Sequence, residues 1–182
     1  MNLRKLNEEV FIALDAIVQI GGEDIAFLKR QARANSRKRA RICAHKTSED
    51  ALHEMVIAIA ADSYIHPHRH VGKSESFHIV EGEVDIVVFD EGGAIVDIID
   101  MGPVGSARKF YYRLSESAFH TLLIRTDFLV VHEVTRGPFF RENTVLAPFA
   151  PPEDEHRAAR DYMTLVAEKA AQFRRNAQPR RP

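Results

Sequence analysis

The sequence predicts a mainly β protein, a barrel or sandwich with helical segments at both ends. Short runs rich in β-branched and aromatic residues follow one another closely from residue 55 to residue 135. Clusters of turn residues such as Glu81-Gly82-Glu83 and Asp90-Glu91-Gly92-Gly93 separate them. Helical periodicity is confined to the ends, so strands do not alternate with helices as in a parallel α/β sheet.

From the N-terminus, residues 7–35 are expected to be helical. Asn7 is placed to cap a first helix, Glu8 and Glu9 suit its positive end, and Val10, Phe11, Leu14, Ile17 and Val18 recur at helical spacing. Gly21-Gly22 ends it, and a second helix over 23–34 carries Ile25, Phe27 and Leu28. Strands are expected at 55–60, 64–70, 75–81, 83–89, 94–100, 108–114, 119–125 and 128–135, with 83–89 and 94–100 forming a hairpin. The breaker cluster Ala147-Pro148-Phe149-Ala150-Pro151-Pro152 then leads into a helix over 153–176, with Tyr162, Leu165, Val166, Lys169 and Phe173 along one face. A basic, proline-bearing tail from Asn176 to Pro182 is expected to be disordered. The organisation is therefore a helical and basic segment over 1–40, a barrel over 41–152, and a helix with its tail over 153–182.

Composition narrows the function. At 182 residues and 45% hydrophobic the chain can bury one full core, and a net charge of −1 gives no general attraction to nucleic acid or membrane. The N-terminus shows no apolar leader and the chain no apolar run long enough to span a bilayer, so a cytoplasmic protein is expected. The lone Cys43 excludes an internal disulfide and a multi-cysteine zinc site.

Histidine is the informative residue. Three of the nine fall in His66-Pro67-His68-Arg69-His70. Residues two apart on a strand share a face, so His68 and His70 aim at one point. A turn through Val71-Gly72-Lys73 can bring Glu75 back beside them, and His120, on a distant strand, is the best-placed fourth ligand. Imidazole and carboxylate donors suit Fe, Mn, Zn, Ni or Cu as divalent ions.

The spacing His-x-His-x4-Glu-x6-Gly, from His68 to Gly82, resembles the first motif of the cupin superfamily in full. The second cupin motif, Pro-x-Gly-x2-His, is matched at His120 only, with Ser115 in the proline position and Ser117 in the glycine position. The resemblance implies a cupin fold, a double-stranded β-helix or jelly-roll barrel, holding a metal on His68, His70, Glu75 and His120. More narrowly, the chain resembles the WbuC-type cupin-fold metalloproteins that occur with bacterial O-antigen sugar genes. The segments concerned are Ser36 to Arg41 with His45, Tyr64 to His70, Val88 to Gly93, His132 to Phe139, and Leu146 to Pro151. The likeness covers about residues 8–155, and the C-terminal helix looks like an extension of it. It implies a role in O-antigen or cell-surface polysaccharide sugar metabolism without fixing a reaction.

Other residues are candidates for the same site. A regular strand from 64 to 70 would point Tyr64 and His66 inward beside the metal, where His66 could serve as a general acid or base. His78 has the opposite parity from Glu75 and should face away, and His132 is expected to be a packed core histidine. Residues 29–46 hold eight cations and no acid, and Arg37, Arg39 and Arg41 would share a face of an extended segment, able to hold a phosphate- or carboxylate-bearing ligand. Three functions follow: a metal-dependent isomerase or epimerase acting on a sugar-derived anion, an iron-dependent dioxygenase, or a non-catalytic module that binds metal and anion. A homodimer is the expected assembly.

Overall fold

The computed structural model describes residues 1–177. Its elements are β1 (Leu3–Lys5), β2 (Val10–Ala13), α1 (Gly22–Ala34), β3 (Arg39–Cys43), β4 (Leu52–Ala60), β5 (His68–His70), β6 (Glu75–Glu81), β7 (Val84–Phe89), β8 (Ile95–Met101), β9 (Tyr111–Leu114), β10 (Phe119–Ile124), β11 (Phe128–Arg136), β12 (Thr144–Leu146) and α2 (His156–Ala177). The strands form a seven-stranded sheet, β1-β2-β3-β4-β11-β6-β9, and a five-stranded sheet, β12-β5-β10-β7-β8. All pairings are antiparallel except β2 with β3. Two sheets facing each other across a shared interior make a jelly-roll barrel, the architecture the sequence predicts.

Strand alternation sorts the apolar residues into layers. Met55, Ile57 and Ile59 on β4, Phe77 and Ile79 on β6, and Leu129 and Val131 on β11 face the interior, where they meet Val84, Ile86 and Leu122 of the other sheet. The opposite parity of β3, β4 and β11 supplies Ala40, Ile42, Val56, Ala58, Phe128 and Val130, which α1 covers with Leu28 and Ala32. The outer face of the smaller sheet, with Val87, Phe89, Phe119 and Leu123, is covered by α2 through Val166 and Ala170. Each broad flank thus carries one helix. On α2 the buried residues are Ala159, Val166 and Ala170, whereas Leu165, expected on the packed face, is exposed.

Gly82 holds the tight turn from β6 into β7. Its φ of +85° lies in the left-handed region, and a Cβ there would fall 2.1 Å from the Phe128 carbonyl oxygen, so only glycine fits.

The first expected helix is not present. Residues 10–13 form β2, paired parallel to β3, with Val10 and Ile12 toward the interior and Phe11 and Ala13 toward α1. The Asn7 side chain accepts the backbone N–H groups of Glu9 (2.8 Å) and Val10 (2.9 Å), an Asx turn that leads into a strand. The same hydrogen bonds serve a helix cap, so the residue alone does not decide between them. Leu14 and Ile17, which the helix would have buried, are 45% and 77% exposed. Gly21 starts a helix instead of ending one: its N–H donates to Asp24 Oδ2 at 2.9 Å, and α1 follows. The expected strand at 64–70 begins only at His68, because Pro67 has no N–H to give a ladder. Asn176 and Ala177 belong to α2, and the rest of the expected disordered tail, from Gln178, lies outside the described residues.

Candidate metal centre

Four side chains converge at one end of the barrel interior. On β10, His120 has the inward parity of Leu122, and it sits directly across from His68 of β5. His70 lies two residues on from His68, opposite Thr144 of β12. From the facing sheet, Glu75 has the inward parity of Phe77 at the start of β6, where it pairs with Thr135 and Leu114. One ligand atom from each of His68, His70, Glu75 and His120 lies within 4.8 Å of the others. His70 Nε2 is 3.0 Å from Glu75 Oε2, and His120 Nε2 is 3.5 Å from Glu75 Oε1. Ligands around a first-row ion at about 2.1 Å stand about 3–4.2 Å apart, so small side-chain shifts would close the cluster on an ion.

The surroundings fit that use. His120 Nδ1 donates to the Ala118 carbonyl at 3.0 Å and His68 Nδ1 to the His66 carbonyl at 2.9 Å, while Thr144 Oγ1 lies 3.4 Å from His70 Nδ1. Holding the proton on Nδ1 leaves the Nε2 lone pair toward the centre, the arrangement that orients histidine ligands in metal sites. Tyr112 donates its phenolic proton to Glu75 Oε1 at 2.6 Å and fixes the carboxylate. Burial, reinforced by His120, pushes His68 down to about 3, so it is neutral and able to coordinate. Burial disfavours charge on Glu75 and His120, but the hydrogen bonding and charge of His120 and His70 outweigh it at Glu75, lowering the carboxyl well below its usual range, and those of Glu75 outweigh it at His120, raising the imidazole. A cation entering among these groups would compete with a proton on the raised imidazole.

Two further groups beside this cluster were not singled out in the sequence. Tyr112 is one. Glu133, with the inward parity of Leu129 and Val131, is the other. Burial and the nearby Glu75 charge raise its carboxyl to about 7, against the opposing pull of Arg41 and Lys73. It still keeps partial solvent access, so it borders an open part of the interior. A carboxylate at an inward position of an otherwise apolar strand was the signal that could have found it. Cys43 also faces inward, but burial raises its thiol to about 11, and it is not among the converging ligands.

The other candidates are dispersed. Because no strand runs through 64–67, Tyr64 and His66 do not line up with His68 and His70. The Tyr64 hydroxyl donates to the Pro151 carbonyl at 2.9 Å and His66 Nε2 to the Ala147 carbonyl at 3.1 Å, so both hold the segment that leads to α2. Arg37 and Arg39 do not stand free for an anion: both pair with Glu9 and Glu153. Arg41 differs. It pairs with no carboxylate among the described residues, and its Nη1 lies 3.8 Å from the inward Met55 sulfur. His78 faces away from the cluster, stacked on Phe110. His132 shares that outer face and is partly exposed beside Glu54, not packed in a core as expected.

The family described as a domain of unknown function (DUF6016) matches residues 20–101. No curated protein matches the chain. Among solved structures, the chain is similar to a protein from Shewanella oneidensis (10% identity, 58% of this chain and 72% of that one, TM-score 0.49). It is also similar to a cupin 2 conserved barrel domain protein from Rhodopseudomonas palustris (18% identity, 64% and 68%, TM-score 0.45). A third is a putative sugar phosphate isomerase from Acidithiobacillus ferrooxidans, at 14% identity and TM-score 0.38, where the likeness covers 48% of this chain and 51% of the other.

Proposed function

We propose that this chain is a metal-dependent cupin of the WbuC type that binds one divalent first-row ion on His68, His70, Glu75 and His120 and acts on a small, anionic, sugar-derived molecule. The observation that carries this reading is the convergence of the four ligand atoms within 4.8 Å, with two of the imidazoles oriented by backbone carbonyls. A bound ion there would polarise a carbonyl or activate water. The chain's own groups would do the rest. Tyr112 holds Glu75 in place, Arg41, with no ion-pair contact to a carboxylate among the described residues, offers its guanidinium to an anion, and Glu133, titrating near neutrality, can take up or release a proton. The partner in this reading is a small molecule, not nucleic acid or membrane, and the assembly is a homodimer.

Elemental analysis of the purified protein, followed by incubation with sugar phosphates and nucleotide sugars, tests the proposal. Close to one ion per chain, lost in His120→Ala, with metal-dependent isomer formation would support it. A protein that retains no ion and gains no thermal stability from Mn²⁺, Fe²⁺, Ni²⁺ or Zn²⁺ would overturn it. At a hundredfold excess over Kd, binding adds about 2.7 kcal/mol to stability. Substrate-dependent oxygen uptake with Fe²⁺ would favour a dioxygenase instead.

A further inference from the structure

A second polar site adjoins the cluster at the barrel rim. A cavity of about 270 Å³ is lined by His70, Gly72, Lys73, Ser74, Arg113, Ser115, Ser117 and Arg136. Three separate segments build it: the turn between β5 and β6, the chain from β9 into β10, and the end of β11. Its lining holds three cations and three hydroxyls and no carboxylate. Among the described residues none of Lys73, Arg113 and Arg136 forms an ion pair with an acid. Arg113 is held in place by serines, its Nη2 3.0 Å from Ser74 Oγ and its Nε 3.1 Å from Ser115 Oγ. Concentrating like charge without acids costs free energy unless an anion compensates it, and forked guanidinium groups with hydroxyls suit a tetrahedral oxyanion.

The sequence adds a second line of argument. Ser115 and Ser117 occupy the two positions at which the chain departs from the second cupin motif. Both departures contribute hydroxyl-bearing residues to this cavity. His70 is a wall of the cavity and also a member of the metal cluster, so a ligand held at the rim lies beside one of the four converging side chains.

We propose that this rim cavity is a phosphoryl-binding subsite, which holds a phosphorylated small molecule with its reacting end beside His70. The orientation of the ligand rests on the reading of the four-residue cluster as a metal centre; the subsite itself does not. The volume exceeds that of a phosphate group, leaving room for the atoms that join it to the reacting end. The cation set is distinct from Arg37 and Arg39, whose charges are already paired.

The test is binding of inorganic phosphate to chelator-treated full-length protein, followed by ³¹P NMR. Wild type should show saturable binding, about tenfold weaker in Arg136→Met and in Lys73→Met, both chosen because neither side chain forms an ion pair with an acid among the described residues. Thermal unfolding should be unchanged in both variants. A sugar phosphate should displace inorganic phosphate and the parent sugar should not; a nucleotide sugar displacing better than the monophosphate would shift the substrate class to diphosphates and overturn the monoester. Loading with Mn²⁺ should broaden the bound ³¹P signal in wild type but not in His120→Ala, which keeps its phosphate affinity. Absence of saturable binding, or equal affinity in wild type and both variants, overturns the subsite. Phosphate binding without broadening in a protein shown to carry Mn²⁺ overturns the placement beside His70, and failure to load any of Mn²⁺, Fe²⁺, Ni²⁺ and Zn²⁺ overturns the metal reading alone.

Discussion

Replacing Glu133 with glutamine should stabilise the metal-free barrel above neutrality and leave it unchanged in acid. The carboxyl is raised to about 7 in the folded protein by burial and by the Glu75 charge. In the unfolded chain it titrates near the ordinary value of about 4.3. Below that value both states carry the proton and the residue has no pH-dependent effect. Between about 4.3 and about 7 the folded protein retains a proton that the unfolded chain releases, so stability falls as pH rises through this window. A displacement of this size corresponds to about 3.5 kcal/mol at pH 8, which partial solvent access reduces to about 2 kcal/mol. Glutamine does not titrate and keeps a similar shape. Denaturant unfolding at pH 4 and pH 8, with chelator present throughout, should give a variant that gains about 2 kcal/mol on wild type at pH 8 and almost nothing at pH 4. His120 is also raised in the fold, chiefly by Glu75 and to a smaller extent by Glu133, and its contribution is likewise lost as pH rises, so the difference between the two curves carries the Glu133 titration together with its smaller coupling to His120. A variant with the wild-type pH slope, or one less stable than wild type at pH 8, would refute the placement of this carboxyl beside Glu75.

Tyr112→Phe removes the hydrogen bond that fixes Glu75 and should weaken metal binding by about 10- to 100-fold, read by chelator competition, with little change in fold by circular dichroism. Metal affinity should fall as pH drops, because His120 is raised by Glu75 and the proton they share competes with the ion; calorimetry in buffers of different ionisation enthalpy should show proton release on binding. Gly82→Ala should cost about 3 kcal/mol or more, measured by denaturant unfolding, since a Cβ would meet the Phe128 carbonyl at 2.1 Å in a backbone conformation with φ of +85°.

The barrel was legible where the pattern repeated. The hairpin of β7 and β8 follows from β-branched runs around a turn, β4 and β11 each from its own apolar run, and the shared face of His68 and His70 from period-two alternation, which is local; Glu75 needed the turn after them and His120 a candidate on a distant strand. The N-terminal strand was not legible because Val10 to Ala13 is an unbroken apolar run, compatible with either period, and its pairing partner β3 lies almost thirty residues on. Tyr64 and His66 were misaligned for a narrower reason: parity was carried backwards through Pro67, where the ladder stops. The rim cavity could not be read at all. Its serines and cations come from residues 70–74, 113–117 and 136, and only the register of β6 with β9 and β11 brings those stretches together.

The paired guanidinium groups of Arg37 and Arg39 have a consequence for how the molecule comes apart. Glu9 stands ahead of the second strand and Glu153 just ahead of the final helix, and both acids close on the same two side chains. The buckle fastens the opening of the chain to its far end. Trimming either extremity would leave the other's charges facing bare cations, so the two ends should fray together.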